Sequence, residues 1–208
     1  MWPPEALEFL RDLEDNNDRA WFKANRARYD DHLRAPGQAL AESLADLGEA
    51  RFFRPYNDAR FHHRPPIKEQ LGIAIGYGAA GGFYVELSLD GLMTGAGLHH
   101  PSSDQLERFR AAIDDGRRAR GFEQAVARAG EAGMTLVEPA LKRAPRGYPL
   151  DHPRVERLRL KNLTVFARHP LEPWLHDERC RELVRAELEG ARPLVAWLAK
   201  HVGPPAAA

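Results

Sequence analysis

One cysteine in 208 residues, Cys180, excludes an internal disulfide and fits a reducing compartment. Charge of one sign is not in excess: Lys plus Arg and Asp plus Glu number 30 each, so the formal net charge is zero. A general nucleic-acid binder carries a basic excess, so this balance sets against that class, although a local basic patch stays open. No run of about 18 apolar residues occurs, which leaves no candidate membrane span. The opening Met1-Trp2-Pro3-Pro4-Glu5 has neither a basic start nor an apolar stretch, so it is not read as a signal peptide. The expectation is a soluble, cytoplasmic protein without a membrane partner. Also missing are the phosphate-loop pattern Gly-x-x-x-x-Gly-Lys, the Gly-x-Ser-x-Gly elbow, Cys-x-x-Cys and His-x-x-x-His. No cofactor is indicated.

The residues present read as one α+β domain over 1–202, with 203–208 as a disordered tail. Pro3 and Pro4 suit a first helical turn, with Leu7, Phe9, Leu10 and Leu13 giving it an apolar side. Asn16-Asn17 breaks that helix and Asp18 can cap the next, whose buried stripe would be Trp21, Phe22, Tyr29 and Leu33. A third helix starts near Pro36 and carries Leu40, Leu44 and Leu47. Then the period changes. Residues 52–62 and 67–77 read as strands, and Gly76–Gly82 as a hairpin loop. Phe83, Val85, Leu87 and Leu89 alternate with Tyr84, Glu86 and Ser88, and Asp90-Gly91 signals a hairpin into a return strand ending near His99. Helices follow near 102–115 and 118–132, then short strands near 134–137 and 163–166 with a short helix at 153–160 between them. A terminal helix spans about 177–200, which Pro193 kinks or splits. Strands in the middle and helices at both ends predict a central, mostly antiparallel sheet with the helices of both chain ends packed on it.

The densest polar stretch runs from Arg54 to Lys68 and holds Arg54, Tyr56, Asp58, Arg60, His62, His63, Arg64 and Lys68. Such a cluster costs desolvation free energy unless its members pair or meet a ligand. In an extended segment Arg54, Tyr56, Asp58, Arg60 and His62 share one face, and Phe53, Pro55, Ala59 and Phe61 the other. Two readings follow. In one, Asp58, Arg60, Lys68, Arg54 and Tyr84 form a site for a small anionic ligand: Arg binds carboxylate or phosphate through two donors and Lys adds a point charge. Glu86 is then the candidate general base. In the other, the same Asp/Arg residues are a structural ion-pair network in a non-enzymatic interaction module. Nucleic-acid binding through Arg54, Arg60, Arg64 and Lys68 is a weaker third.

The histidines suggest a metal: His62, His99 and Asp58 would supply three ligands, enough for catalytic zinc. Adjacent strand residues point oppositely, so the pairs His62-His63 and His99-His100 give one ligand each, and no metal site is expected. Asp151-His152-Pro153 reads either as a carboxylate orienting an imidazole base or as a turn in which Asp151 caps a helix. Cys180 lies among charges without a partner constellation and is not expected to be catalytic. Trp21, Trp174 and Trp197 read as core. Arg159 and Lys161 would join the basic cluster only if their strand lay beside residues 52–62. No heptad or apolar patch assigns an oligomeric interface.

Four segments carry a family resemblance. They are Phe9-Leu10…Asn16-Asn17…Trp21-Phe22…Asn25…Tyr29, then Asp58-Ala-Arg-Phe61 with Pro66-Ile-Lys68, then Phe83-Tyr84…Gly95-Ala-Gly97…Pro101, and last Pro145-Arg-Gly147…Asp151-His-Pro153…Leu158…Lys161. In this order they resemble the family catalogued as domain of unknown function 2461. The family pattern at the centre is similar to Arg-Phe-Ser-x-Asp-Lys-x-Pro-Tyr-Lys. This chain has Arg60-Phe-His-His-Arg-Pro-Pro-Ile-Lys68, one residue shorter, without the serine, the Asp-Lys pair or the tyrosine. The resemblance implies a compact α+β fold and brings no assignment of activity.

Overall fold

A computed structural model of the chain describes residues 1–58 and 64–206. Proline opens the first helix, α1 (Pro4–Asp15), where a missing N–H costs nothing. Asp18 caps α2 (Arg19–Ala24) by accepting from the N–H groups of Ala20 and Trp21. Then come α3 (Arg26–Arg28), a π-helical turn (Tyr29–Arg34), α4 (Ala35–Ser43) and a 3-10 turn (Ala45–Leu47). The first 48 residues are a helical layer, as the periodicity predicts.

Six strands follow: β1 (Ala50–Phe52), β2 (Gln70–Gly78), β3 (Gly81–Ser88), β4 (Gly91–Leu98), β5 (Thr135–Leu136) and β6 (Leu163–His169). They form one antiparallel sheet in the order β1-β2-β3-β4-β6-β5, with helices packed on it, so the α+β expectation holds. β6 lies between β4 and β5, not beside β1, so Arg159 and Lys161 are not brought to the basic cluster by strand pairing. The remaining helices are α5 (Ser103–Asp114), α6 (Gly116–Glu131), α7 (Val155–Leu158) and α8 (Glu178–His201), with a 3-10 turn at Pro173–His176. α8 runs through Pro193 without splitting. No described helix is long and apolar enough to cross a membrane.

Two further expectations are corrected. Strand β1 ends at Phe52; past it the Phe53 N–H still donates to the Gly72 carbonyl, and over the described residues 53–58 the one isolated bridge is Tyr56 with Ile67, so the described part of 52–62 is not a continuous strand. Pro55 removes a ladder donor there. The stretch Gly76–Gly82 is mostly strand: β2 and β3 consume it and leave only Ala79-Ala80 as the turn. Gly81 and Gly82 are needed for close backbone approach. At Gly81, φ is +107° and a Cβ would fall 2.4 Å from the Gly97 carbonyl oxygen.

By compactness the chain divides into two units, each gathered from three segments. The first holds Met1–Ile75, Tyr84–Thr94 and Arg168–Arg185. Its core is an aromatic cluster of Phe9, Phe22 and Tyr29, with Trp21 at its margin, joined by Leu10, Leu13, Leu33, Leu71, Ile73, Val85 and Leu87. The indole of the fully buried Trp2 donates to the Leu33 carbonyl at 3.0 Å. Cys180 is also fully buried here, and burial pushes its thiol up to about 12. It is an inert core residue.

The second unit holds Gly76–Phe83, Gly95–Ala167 and Ala186–Ala208. Phe109, Phe122 and Trp197 pack edge to face at its centre, with centroids 5.1–6.1 Å apart. Ser102 and Gln105 cap α5 reciprocally. Gln105, 3% exposed, also donates to the carbonyls of Ala79 and Gly203 at 2.8 Å each. Arg108 donates to the carbonyls of Val202 and Pro204, and the Ala206 N–H donates to Asp104 at 2.7 Å. Residues 203–206 are thus tied to α5.

Candidate functional site

The candidate site is built on the stem of a loop. After β1 the chain leaves the sheet at Phe53 and returns at Lys68. Two backbone bonds close the stem: Asn57 N–H to Pro66 C=O, 3.0 Å, and Lys68 N–H to Pro55 C=O, 2.7 Å. Asn57 adds a side-chain bond to the Pro65 carbonyl, 2.8 Å. Asn17 fastens the far strand of the stem. Its Oδ1 accepts from Ile67 N–H at 2.9 Å, and its Nδ2 donates to the Ile67 carbonyl at 3.0 Å and to Glu69 at 2.7 Å. Asn17, which by sequence only breaks a helix, therefore sets the position of the neighbouring Lys68.

Lys68 extends its ammonium over the ring of Phe53, 5.4 Å from the centroid. Phe53 meets Tyr84 edge to face, centroids 5.9 Å apart at 75°. Tyr84 O–H donates to Glu86 Oε2 at 2.7 Å, and Gln70 Nε2 donates to the same oxygen at 2.6 Å. The Tyr84 hydroxyl lies over Gly72, where a Cβ would come within 2.6 Å of it. The absence of a side chain at 72 is what lets the tyrosine lie down on β2. Burial first, and then the bond to Glu86, raise the Tyr84 hydroxyl well above its ordinary pKa, so it stays a donor.

The structure joins Lys68, Tyr84 and Glu86 through Phe53 and adds Gln70 and Gly72, which carry no sequence signal beyond their place in a strand. Phe53 departs from expectation. It was placed on an apolar backing row, yet it is 43% exposed. Arg54 and Asp58 are exposed, and the ring of Tyr56 leans on Phe22, centroids 5.8 Å apart. Arg60, His62 and His63 lie outside the described residues, and so does any His62 metal site. Among the described residues no group of three or more His, Cys, Asp and Glu could hold a metal ion.

Electrostatics single out two cations. The Lys68 ammonium is held below its ordinary pKa, mainly by desolvation and then by the charge of Arg54. Among the described residues neither Lys68 nor Arg54 has a carboxylate partner, unlike Arg26 with Asp30 or Arg157 with Glu123. Lys68 therefore stands within electrostatic reach of Arg54, and neither has a carboxylate partner among the described residues.

His152 is buried, but it is not a base in waiting. Its Nε2 lies 3.1 Å from Asp114 Oδ1, and its Nδ1 accepts from the Arg154 N–H at 3.1 Å. With Nδ1 an acceptor, the proton sits on Nε2 and is donated to Asp114. Both ring nitrogens are occupied, so the histidine fastens the loop before α7 to the end of α5. Arg154, not Asp151, is the N-cap residue of α7.

A family model described as Conserved hypothetical protein (DUF2461) matches residues 5–197. The chain belongs to this family. Comparison with curated proteins and with solved structures gave no match. As a DUF2461 member the chain shares a fold-wide pattern, and the positions that carried the resemblance now have physical roles. Asn17 pins Ile67, Phe22 supports Tyr56, Tyr84 reaches Glu86, and Gly97 makes room for the neighbouring strand.

Proposed function

We propose that this protein binds a small anionic ligand at the stem of the 53–68 loop, with Lys68 and Arg54 as the cationic anchors. The observation that carries the reading is the pairing of these two cations without a carboxylate on either among the described residues. An arrangement that costs free energy in the empty protein is relieved when an anion enters. Phe53 offers a ring beside the charge, and the Tyr84–Glu86–Gln70 network fixes the floor. Arg60 and Asp58 belong to the same segment, Arg60 as a further donor and Asp58 as its orienting carboxylate. Any proton transfer at this site falls to Glu86, the carboxylate on its floor. The setting is the cytoplasm, where a lone reduced thiol such as Cys180 fits.

The test is a thermal-shift and calorimetric screen of inorganic phosphate, citrate and other small carboxylates. A ligand present at 100 times its Kd adds about 2.7 kcal/mol to stability, which a melting curve resolves. Lys68→Met keeps the stem length and removes the charge. It is expected to weaken the best anion at least about tenfold, one lost charge-assisted bond at about 1.5–3 kcal/mol. Equal binding by Lys68→Met and wild type would overturn the assignment.

The ion-pair alternative makes its own prediction. Asp58 and Arg54 are exposed, and exposed pairs contribute about 0–1 kcal/mol. Asp58→Ala should therefore shift the chemical-denaturation midpoint by less than about 1 kcal/mol of stability. A loss of several kcal/mol would instead make the segment a structural network.

A further inference from the structure

A second cationic feature lies in the other compact unit, at the start of α6. The helix opens Gly116-Arg117-Arg118-Ala119-Arg120, and α8 ends in Lys200-His201. Trp197 of α8 donates its indole N–H to the Arg118 carbonyl at 3.0 Å, which fastens the two helices at this point. One turn on, Gly121 leaves space beside the indole, since a Cβ there would come 3.3 Å from its nitrogen. Between them runs an open groove of about 580 Å³ lined by Arg117, Arg118, Gly121, Trp197, Lys200 and His201.

Among the described residues the cations of this groove form no ion pair, although the charge of Asp115 attracts Arg118 and Arg117. Several arginines elsewhere in the unit have carboxylate partners: Arg108 with Asp104, Arg157 with Glu123 and Arg159 with Glu156. Among the described residues the side chains of Arg117, Arg118 and Lys200 have none. The adjacent carboxylate, Asp115, is spent on the helix start, where it accepts from the Arg117 and Arg118 N–H groups at 3.0 and 2.8 Å. Two of the cations also stand at the positive end of the α6 dipole, where a negative group is favoured and a positive one is not. His201 reports the field. Its ring lies 4.9 Å from that of Trp197, and its pKa is lowered first by desolvation and then by Lys200, Arg118 and, past an opposing Asp115, Arg117. The chain as a whole has no net charge, so this concentration is local and not the overflow of a basic protein.

We infer that the groove between α6 and α8 binds a phosphate-bearing polyanion, with Arg117, Arg118 and Lys200 as its contacts and Trp197 and His201 as its wall. Guanidinium forks match phosphate oxygens, and clustered fixed cations suit a ligand carrying several charges more than a single carboxylate. Bound phosphate stabilises the imidazolium of His201, so binding tightens as pH falls through the histidine's titration. The inference is independent of the Lys68 site, because it rests on other residues of the other unit.

The experiment uses the full chain, with inorganic tripolyphosphate measured by calorimetry and a labelled single-stranded oligonucleotide by fluorescence anisotropy, each at several salt concentrations. Wild type should bind at least one probe at low salt. R117Q/R118Q/K200Q should bind it at least about tenfold more weakly and lower the salt slope for the oligonucleotide by roughly 2, at about 0.7 per phosphate contact. R117K/R118K should keep most of the affinity, and Lys68→Met should keep all of it. The triple variant should melt with wild type, because the three side chains it removes form no hydrogen bond or ion pair among the described residues. If it does not fold, Arg117→Gln and Lys200→Gln are read singly. Tighter binding of the oligonucleotide assigns the phosphates to a nucleic-acid strand, and tighter binding of tripolyphosphate to a small polyphosphate. Failure of wild type to bind either probe, or undiminished binding by the glutamine variants, would overturn the inference.

Discussion

Gly97→Ala is expected to remove about 3 kcal/mol or more of stability. Two costs combine. The backbone at Gly97 has φ of +116°, a conformation that strains any residue with a Cβ by about 1–3 kcal/mol. The added Cβ would also stand 2.1 Å from the Leu163 carbonyl oxygen and 3.0 Å from the Thr164 Cα. Neither obstacle is the movable end of a side chain. To clear them, β4 must draw away from β6, and overpacking of that kind costs about 1–3 kcal/mol on its own. Retreat to the other side is limited as well, because Gly81 of β3 packs so near that a Cβ on it would fall 2.4 Å from the Gly97 carbonyl oxygen. Against a total of about 5–15 kcal/mol for a natural fold, the loss is severe. Urea unfolding of the variant measures it, and a change under about 1 kcal/mol would show that the strands part easily.

Phe122→Ala should cost about 3–5 kcal/mol, the range for truncating a buried aromatic. Phe122 is fully buried on α6 and meets Phe109 at 5.4 Å and Trp197 at 5.1 Å, both edge to face. Beyond its buried area, each such aromatic pair contributes about 0.5–1.5 kcal/mol. The hole left behind has rigid neighbours, so it closes poorly. Phe122→Leu, which fills most of the volume, should lose clearly less. The measurement is the melting temperature together with the near-ultraviolet circular dichroism of the tryptophans. A variant that melts within a degree of wild type would contradict the packing described. The change also reaches the groove: once Trp197 loses its support, its hold on the Arg118 carbonyl loosens and the cations above it spread. Weaker phosphate binding by Phe122→Ala is therefore expected, although Phe122 touches no ligand.

The parts of the fold that were legible in the sequence were those in which local chemistry and tertiary packing agree. The alternation from Phe83 to Leu87, followed by Asp90-Gly91, specified the β3–β4 hairpin because one face is buried and the turn is short. Asp18 marked α2 through its cap, and the spacing of Leu7, Leu10 and Leu13 marked α1 through periodicity. Misreadings arose where a residue served a distant neighbour. Glycines 76–82 read as a loop, yet Gly81 is required by the Gly97 backbone, which no local pattern reveals. The segment after Phe52 alternates like a strand, but past Phe53 its described bridge is to its own return limb, Tyr56 with Ile67. Of the candidate site, Lys68, Tyr84 and Glu86 were visible as polar residues on predicted strands. Asn17, Gln70 and Gly72 were not. Asn17 acts across fifty residues of chain, and Gly72 matters through the side chain it lacks. Arg117, Arg118 and Lys200 carry no local sequence signal, because only the fold brings two helix ends to one groove.

The sealed sulfhydryl of Cys180 gives this protein a built-in clock. An alkylating reagent attacks a thiolate, and in the closed state Cys180 is neither ionised near neutral pH nor reachable. Modification therefore counts openings of the structure around α8 and not collisions with the surface. With one sulfhydryl per chain, the mass of the labelled protein shifts in a single step, and its rate reads how often that part of the molecule breathes.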